Sequence, residues 1–282
     1  MAVLRSSPVR VLDDRDVPAA LEVLSRDPIA NVFVQSRVES GGLDPWRLGA
    51  EMWGHIVDGE LSALCYSGAN LVPVCADEDA VGVFADRARR QGRRCSSIVG
   101  PESMVAPMWR ALEPAWGGAR DVRPSQPLMA IDDPPLVEGD PYVRRVRPDE
   151  LDILLPASIA MFTEEVGVSP VAADGGTLYR ARVTELVQSG RSFARIEDGK
   201  VLFKAEVGAA TKGACQIQGV WVEPSRRGEG LSVAGMAAVV EACRATIAPV
   251  VSLYVNDFNE PARRAYEHVG FTTVGTFMSV LF

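Results

Sequence analysis

Lysine and histidine are scarce in this chain. Three Lys stand against 26 Arg, and His55 and His268 are the only histidines among 282 residues. Two imidazoles leave little material for a His-based metal centre, so no metal is expected. The five Cys, at 65, 75, 95, 215 and 243, are widely spaced and form no C-x-x-C. They read as free or buried thiols of a reducing compartment rather than as a disulfide framework. No run of 18 apolar residues occurs, and the most apolar stretch, Leu231 to Val255, is broken by Glu241, Arg244 and Pro249. That argues against a membrane span. The opening MAVLRSSPVR lacks the apolar core of a secretion leader, so a cytoplasmic location is expected.

A basic stripe is missing too. The net charge is −8, with 14 Arg, no Lys and 21 acids in residues 1–140, and 15 basic against 16 acidic residues in 141–282. Neither half has the footprint of a nucleic-acid binder. The preference for Arg over Lys fits a GC-rich bacterial genome. What the chain does have is core material: 47% hydrophobic and 23% charged residues exclude wholesale disorder. Its length suggests two domains of about 150 residues each.

The run DDPPLVEGDP, at 132–141, holds three Pro and four acids and reads as an exposed linker. It separates residues 1–131 from 142–282, and the two halves repeat weakly. VRVLDDRDVPAALEVL in the first matches VRRVRPDELDILLPAS in the second: a short strand, an acidic cap, then a helix. MWGHIVDGELSALC and SFARIEDGKVLFKA both alternate around an Asp-Gly turn, Asp58-Gly59 and Asp198-Gly199. Asp-Gly between alternating strands is a strong hairpin signal. The expected fold class is α+β, two copies of one domain, each a mixed and mostly antiparallel sheet flanked by helices.

In the second half, strands are expected at 193–197, 200–207 and 214–223. Val233, Met236, Val240, Cys243 and Ile247 line one face of a helix over 230–247. After strand 250–255 comes a helix capped by Asn259, with Pro261 in its first turn and Gly270 as its stop. Two short strands, FTTVGTF and MSVLF, are expected to close the chain.

The turn Arg227-Gly228-Glu229-Gly230-Leu231-Ser232 is the most informative segment. Two Gly allow close approach of a ligand, and a helix start offers N–H groups without partners. Together with the helix dipole they suit an anion such as a pyrophosphate. The patterns G-x-x-x-x-G-K and G-x-G-x-x-G are both absent, which excludes a Walker A loop and a dinucleotide fingerprint.

With VWVEPSRRGEGLS before it and NEPARRAYEHVGF after the next strand, this turn resembles the GNAT family of acetyl-CoA-dependent N-acetyltransferases over about residues 142–282. The resemblance implies that Val220, Trp221 and Val222 pair with the pantetheine arm. It implies that Arg227, Gly228, Glu229, Gly230, Leu231 and Ser232 hold the pyrophosphate of acetyl-CoA. Ser232 departs from the usual Gly or Ala. Asn256 and Asn259 are implied as contacts of the cofactor arm, and Tyr266 as the acid that protonates the departing thiolate. Ala262, Ala265, Tyr266 and Val269 share one helix face, so Tyr266 also reads as a core residue. Many family members carry a basic Glu on the strand before the turn. Here that strand offers only Gln216 and Gln218, and Glu206 on the neighbouring strand is the nearest candidate base. Glu164 and Glu165 fall where the family's early helices line the acceptor site, and a carboxylate pair suits a cationic amine.

The first half has no counterpart of the turn. At its place stands VPVCADEDAVGVF, where Asp77, Glu78 and Asp79 repel a pyrophosphate. It reads as a degenerate copy that covers the acceptor side, or as a structural or dimerisation domain. The expected activity is acetyl transfer to an amine, with a small molecule, a peptide or a protein as acceptor and a homodimer left open. A Fem-type aminoacyl transferase and a non-catalytic acetyl-CoA sensor or scaffold are the alternatives.

Overall fold

The fold is that of a computed structural model, which describes residues 9–172 and 175–282. Residues 1–8, on which the reading of a missing leader rests, lie outside the described residues. The elements run as one pattern used twice. The first pass is β1 (Val9–Val11), α1 (Val17–Leu24), α2 (Val32–Gly41), α3 (Pro45–Leu48), β2 (Glu51–Val57), β3 (Glu60–Ser67), β4 (Asn70–Val74), α4 (Glu78–Gln91), β5 (Ser97–Pro101), α5 (Glu102–Trp116) and β6 (Asp121–Ile131). The second is β7 (Arg144–Arg145), α6 (Leu151–Val166), α7 (Thr177–Gln188), β8 (Ser192–Glu197), β9 (Lys200–Ala210), β10 (Ala214–Val222), α8 (Leu231–Thr246), β11 (Val250–Tyr254), α9 (Glu260–Val269) and β12 (Thr272–Leu281).

The two Asp-Gly turns form as the sequence demands. Asp58 and Gly59 have φ of 52° and 89°, and Asp198 and Gly199 have 49° and 71°. Two successive positive φ values make the turn whose twist matches a hairpin. Val57 accordingly faces Glu60, and Glu197 faces Lys200.

By contacts the chain forms two units. The first holds residues 1–128, 254–257 and 273–282, and the second holds 129–253 and 258–272. Strands of the first unit follow the order β1-β2-β3-β4-β5-β12-β6. Its pairs are antiparallel from β1 to β4, while β4 and β5 run parallel. Strand β12 lies antiparallel to β5, Val280 facing Ile98. Met278 and Val280 are buried in one cluster with Phe84, Ile98, Met108 and Trp109. A division at 132–141 would leave this strand with the second half; by contact it belongs with the first. The segment 272–281 is also one strand and not the two expected, because Phe277 and Met278, where the two were to part, pair without a break against Pro101 and Gly100.

In the second unit the order is β11-β10-β9-β8-β7. Strands β7 to β10 are antiparallel, and β11 is parallel to β10. Helix α6 packs Leu154, Ala157 and Met161 onto a core that includes Val201 and Trp221. Helix α8 approaches the sheet closely: a Cβ on Gly235 would lie 2.8 Å from the Phe203 ring. The segment 132–141 is mostly exposed. Asp140 is its buried exception, held by the Arg195 guanidinium at 2.9 Å. All five Cys are free thiols, four of them buried. Among the described residues no helix is long and apolar enough to cross a membrane, and no group of three or more His, Cys, Asp or Glu could hold a metal ion.

Candidate functional site

Strands β10 and β11 stay in register for three residues only, Ala214 to Gln216 against Val250 to Ser252. Beyond that, β10 carries an irregularity. Gln218 faces Glu206 and Trp221 faces Lys204, so Gly219 and Val220 together stand opposite Ala205. This is a β-bulge, which bends a strand and frees backbone groups. Gly219 has φ of 60°, and a Cβ there would lie 3.1 Å from the Glu206 carboxylate, so both conformation and space require glycine.

Past the bulge, β10 runs into the glycine turn. Gly228 and Gly230 adopt φ of 85° and 79°, and Gly230 is the N-cap of α8 without any side-chain cap. The first backbone bonds into the helix come from Val233 and Ala234 to the Gly230 carbonyl. The N–H groups of residues 228–232 find no backbone acceptor among the described residues. A run of free N–H groups at a helix start is an anion site.

These elements wall a cleft of about 650 Å³. It is lined by Val220, Trp221 and Val222 of β10, by Arg227, Gly228, Gly230, Leu231 and Ser232 of the turn and helix start, by Asn259 and Tyr266 at α9, and by Glu164 of α6. The structure thus brings together most of the residues singled out from the sequence. Asn259 is the N-cap of α9, accepting from the Ala262 N–H at 3.3 Å. The side chain of Glu229 is turned to the Arg226 guanidinium at 2.7 Å.

Tyr266 is buried against Phe271, with ring centroids 6.0 Å apart. Burial, and secondarily the negative charge of Glu165, push its phenol above its ordinary pKa. Burial, then the charges of Glu206 and Glu165, raise Tyr179, whose hydroxyl donates to the Ser158 carbonyl at 2.8 Å.

Several expected site residues sit differently, and Glu165 and Glu229 do not line the cleft. Asn256 groups with the first unit, where its Oδ1 accepts from the Gln126 amide at 2.9 Å. It is absent from the walls of the cleft. Glu206 is buried and does not line the cleft either. One of its oxygens accepts from Lys204 at 3.3 Å and the other from Gln218 at 3.2 Å. A base must reach its proton directly or through one water, and this placement does not present Glu206 to the cleft. Glu164, expected to meet an acceptor amine, instead accepts from Arg227 at 2.7 Å and from the Trp221 indole at 3.3 Å.

Lys204 escaped the sequence reading. The signal was available: a lysine within the apolar strand VLFKAEV, in a chain with three lysines.

In the first unit the corresponding helix start is closed. The Asp77 carboxylate caps α4, accepting from the Ala80 N–H at 2.9 Å. A carboxylate fills the position where the second unit leaves N–H groups open.

Comparison with known proteins agrees with this geometry. Residues 165–271 match the acetyltransferase (GNAT) family, and residues 50–154 match a domain of unknown function, DUF4081. No curated protein sequence matches the chain. Among solved structures, the chain resembles a GNAT-family acetyltransferase from Colwellia psychrerythraea at 12% identity and a TM-score of 0.58, over 97% of this chain and 99% of that one. A GCN5-related N-acetyltransferase from Sphaerobacter thermophilus is similar at 19% identity and a TM-score of 0.60, over 96% and 93%. A tandem GNAT protein from the clavulanic acid biosynthesis pathway is similar at 14% identity and a TM-score of 0.56, over 97% and 98%. At these identities the likeness is one of fold, and it extends over nearly the whole chain.

Proposed function

We propose that this chain, whose C-terminal half carries a GNAT-family acetyltransferase domain, moves an acetyl group from acetyl-CoA to an amine that attacks the thioester directly. The observation that carries the reading is the row of N–H groups at 228–232, without backbone acceptors at the start of α8, in a turn of which Gly228, Gly230, Leu231 and Ser232 line the cleft. It suits a pyrophosphate by charge and by hydrogen bonding. The edge of β10 at Val220–Val222 is the segment available to the pantetheine arm. Acetyl-CoA supplies the thioester, and the protein supplies position and a proton. Tyr266, which lines the cleft together with His268, is the group assigned to give that proton to the departing thiolate. Its raised pKa keeps the phenol protonated at neutral pH.

In this reading Arg227 exchanges partners. Its guanidinium donates to Glu164 and to the Val222 carbonyl, and turns to phosphate when the cofactor enters. The first half is then a degenerate copy, its helix start filled by Asp77.

One observation favours a second reading, binding of acetyl-CoA without turnover: the carboxylate nominated as base is buried, paired with Lys204 and absent from the cleft lining. Thiol release from acetyl-CoA, measured across a library of small amines and peptides, separates the two. Acetyl transfer to one class of amine supports the enzyme. Tight binding with no thiol release from any of them supports the sensor.

A further inference from the structure

Lys204 is fully buried in the middle of β9. An ammonium taken out of water is tolerated only where charge and hydrogen bonds are returned to it. Lys204 receives both. Its Nζ donates to the Gly219 carbonyl at 3.0 Å and to Glu206 Oε2 at 3.3 Å. The second Glu206 oxygen accepts from the Gln218 amide at 3.2 Å. Gly208 makes that last contact feasible, since a Cβ there would fall 2.1 Å from Gln218 Oε1.

Each member of this network touches the bulge in β10. Gln218 precedes it, Gly219 begins it, and Lys204 faces Trp221 just beyond it. A bulge leaves its extra residue out of the ladder, and an unpaired buried carbonyl is destabilising. Gly219 stands in the bulge, where the register of the ladder shifts, and its carbonyl accepts from Lys204 there.

We propose that Lys204 is a positioning residue: its ammonium fixes the bulge that turns the Val220–Val222 edge toward the cleft, with Glu206 as its buried counter-ion. The proposal rests on the reading of that cleft as an acetyl-CoA site, and it assigns Glu206 to Lys204 instead of to proton transfer.

A purely structural ion pair and a positioning lysine differ in one respect. In the first case only stability depends on the pair. In the second, affinity depends on Lys204 itself. The test uses the full chain as wild type, K204M, E206L and the double variant K204M/E206L, each with its unfolding temperature and its calorimetric affinity for acetyl-CoA. Each single variant should unfold at lower temperature, because it leaves one charge buried alone. The double variant should regain most of the lost stability, since no lone charge remains. Its affinity should nevertheless stay at least tenfold below wild type, because the bond to Gly219 is still missing. A folded double variant with wild-type affinity would overturn the proposal, as would a double variant no more stable than either single one. If wild type fails to bind acetyl-CoA, the cofactor reading falls separately. The bulge is then read by the amide resonances of Gly219 and Val220, which must shift in the double variant; unchanged resonances overturn the role of Lys204.

Discussion

Glu164 on α6 and Arg227 in the glycine turn form an ion pair at 2.7 Å across the rim of the cleft, each side chain about half exposed (47% and 49%). The same Arg227 donates through Nε to the Val222 carbonyl at 3.2 Å. The arginine expected from the sequence to meet the pyrophosphate is thus engaged by a carboxylate of the protein itself. An entering anion has to displace it. Half-exposed pairs are worth about 0.2–1 kcal/mol. Replacing Glu164 by Gln should therefore tighten acetyl-CoA binding by a small factor, at most about fivefold by that range. Calorimetric titration measures this directly, and weaker binding by E164Q would assign Glu164 to the cofactor's own contacts.

Gly230 has φ of 79° and open space around its α-carbon. Alanine there meets only backbone strain, about 1–2 kcal/mol for a left-handed residue. Aspartate adds a charge where phosphate is to sit. G230A should lower acetyl-CoA affinity modestly and G230D should abolish it, with both proteins folded by circular dichroism. Equal losses would mean that the effect is one of conformation and not of anion binding.

Burial and Glu165 both raise the Tyr266 pKa. The sign follows: the phenol stays protonated to higher pH than a free tyrosine, so a general acid here loses no activity below about pH 10. Y266F should lower kcat about 100-fold while leaving affinity nearly unchanged. E165Q removes one of the two causes and should move the basic limb of the pH–kcat profile toward lower pH. A profile identical to wild type would separate Glu165 from the phenol.

Much of this site was legible in the sequence because its signals are local. The Asp-Gly hairpins, the Gly230 start of α8, the Asn259 cap and the Gly270 stop each depend on a few neighbouring residues. What was not legible depends on pairing at a distance. The bulge at Gly219 exists only relative to β9, so Gln218 and Gly219 gave no hint of it. Glu206 looked like a strand carboxylate beside the cofactor strand, and the register that gives it to Lys204 lies outside its own segment. Asn256 follows β11 closely in sequence, yet its side chain is taken by Gln126, 130 positions away. The place of β12 beside β5 was hidden for the same reason.

The contribution of β12 to the first unit can be measured. Val280 is fully buried opposite Ile98. V280D puts an unpaired charge in that core, a class of change that costs more than about 4 kcal/mol. Trp53 and Trp109 share this cluster, so their fluorescence should report unfolding of the first unit at lower denaturant than in wild type. An unchanged midpoint would place β12 outside that core.

Glu150 accepts two bonds from Arg144, at 2.8 and 2.7 Å, and one from the Arg147 N–H at 2.9 Å. The Arg144 bonds are the largest cause that holds its carboxyl at about 2, below its ordinary 4.5. Because the folded-state pKa is depressed, the stabilisation is complete above about 4.5 and is lost as pH falls toward about 2. E150Q should be less stable at neutral pH and should lose less stability over that acid window. Parallel pH–stability curves for the two proteins would contradict the assignment.

The central claim is that the turn opening α8 holds the pyrophosphate of acetyl-CoA. Amide resonances of Gly228, Glu229, Gly230, Leu231 and Ser232, followed during a titration of the full chain with acetyl-CoA, test it most directly. The account predicts saturable shifts at these five amides, because their N–H groups acquire phosphate acceptors, and no comparable shifts at the Asp77-capped start of α4. Binding of acetyl-CoA that leaves the five amides unmoved, or no binding at all, would contradict it.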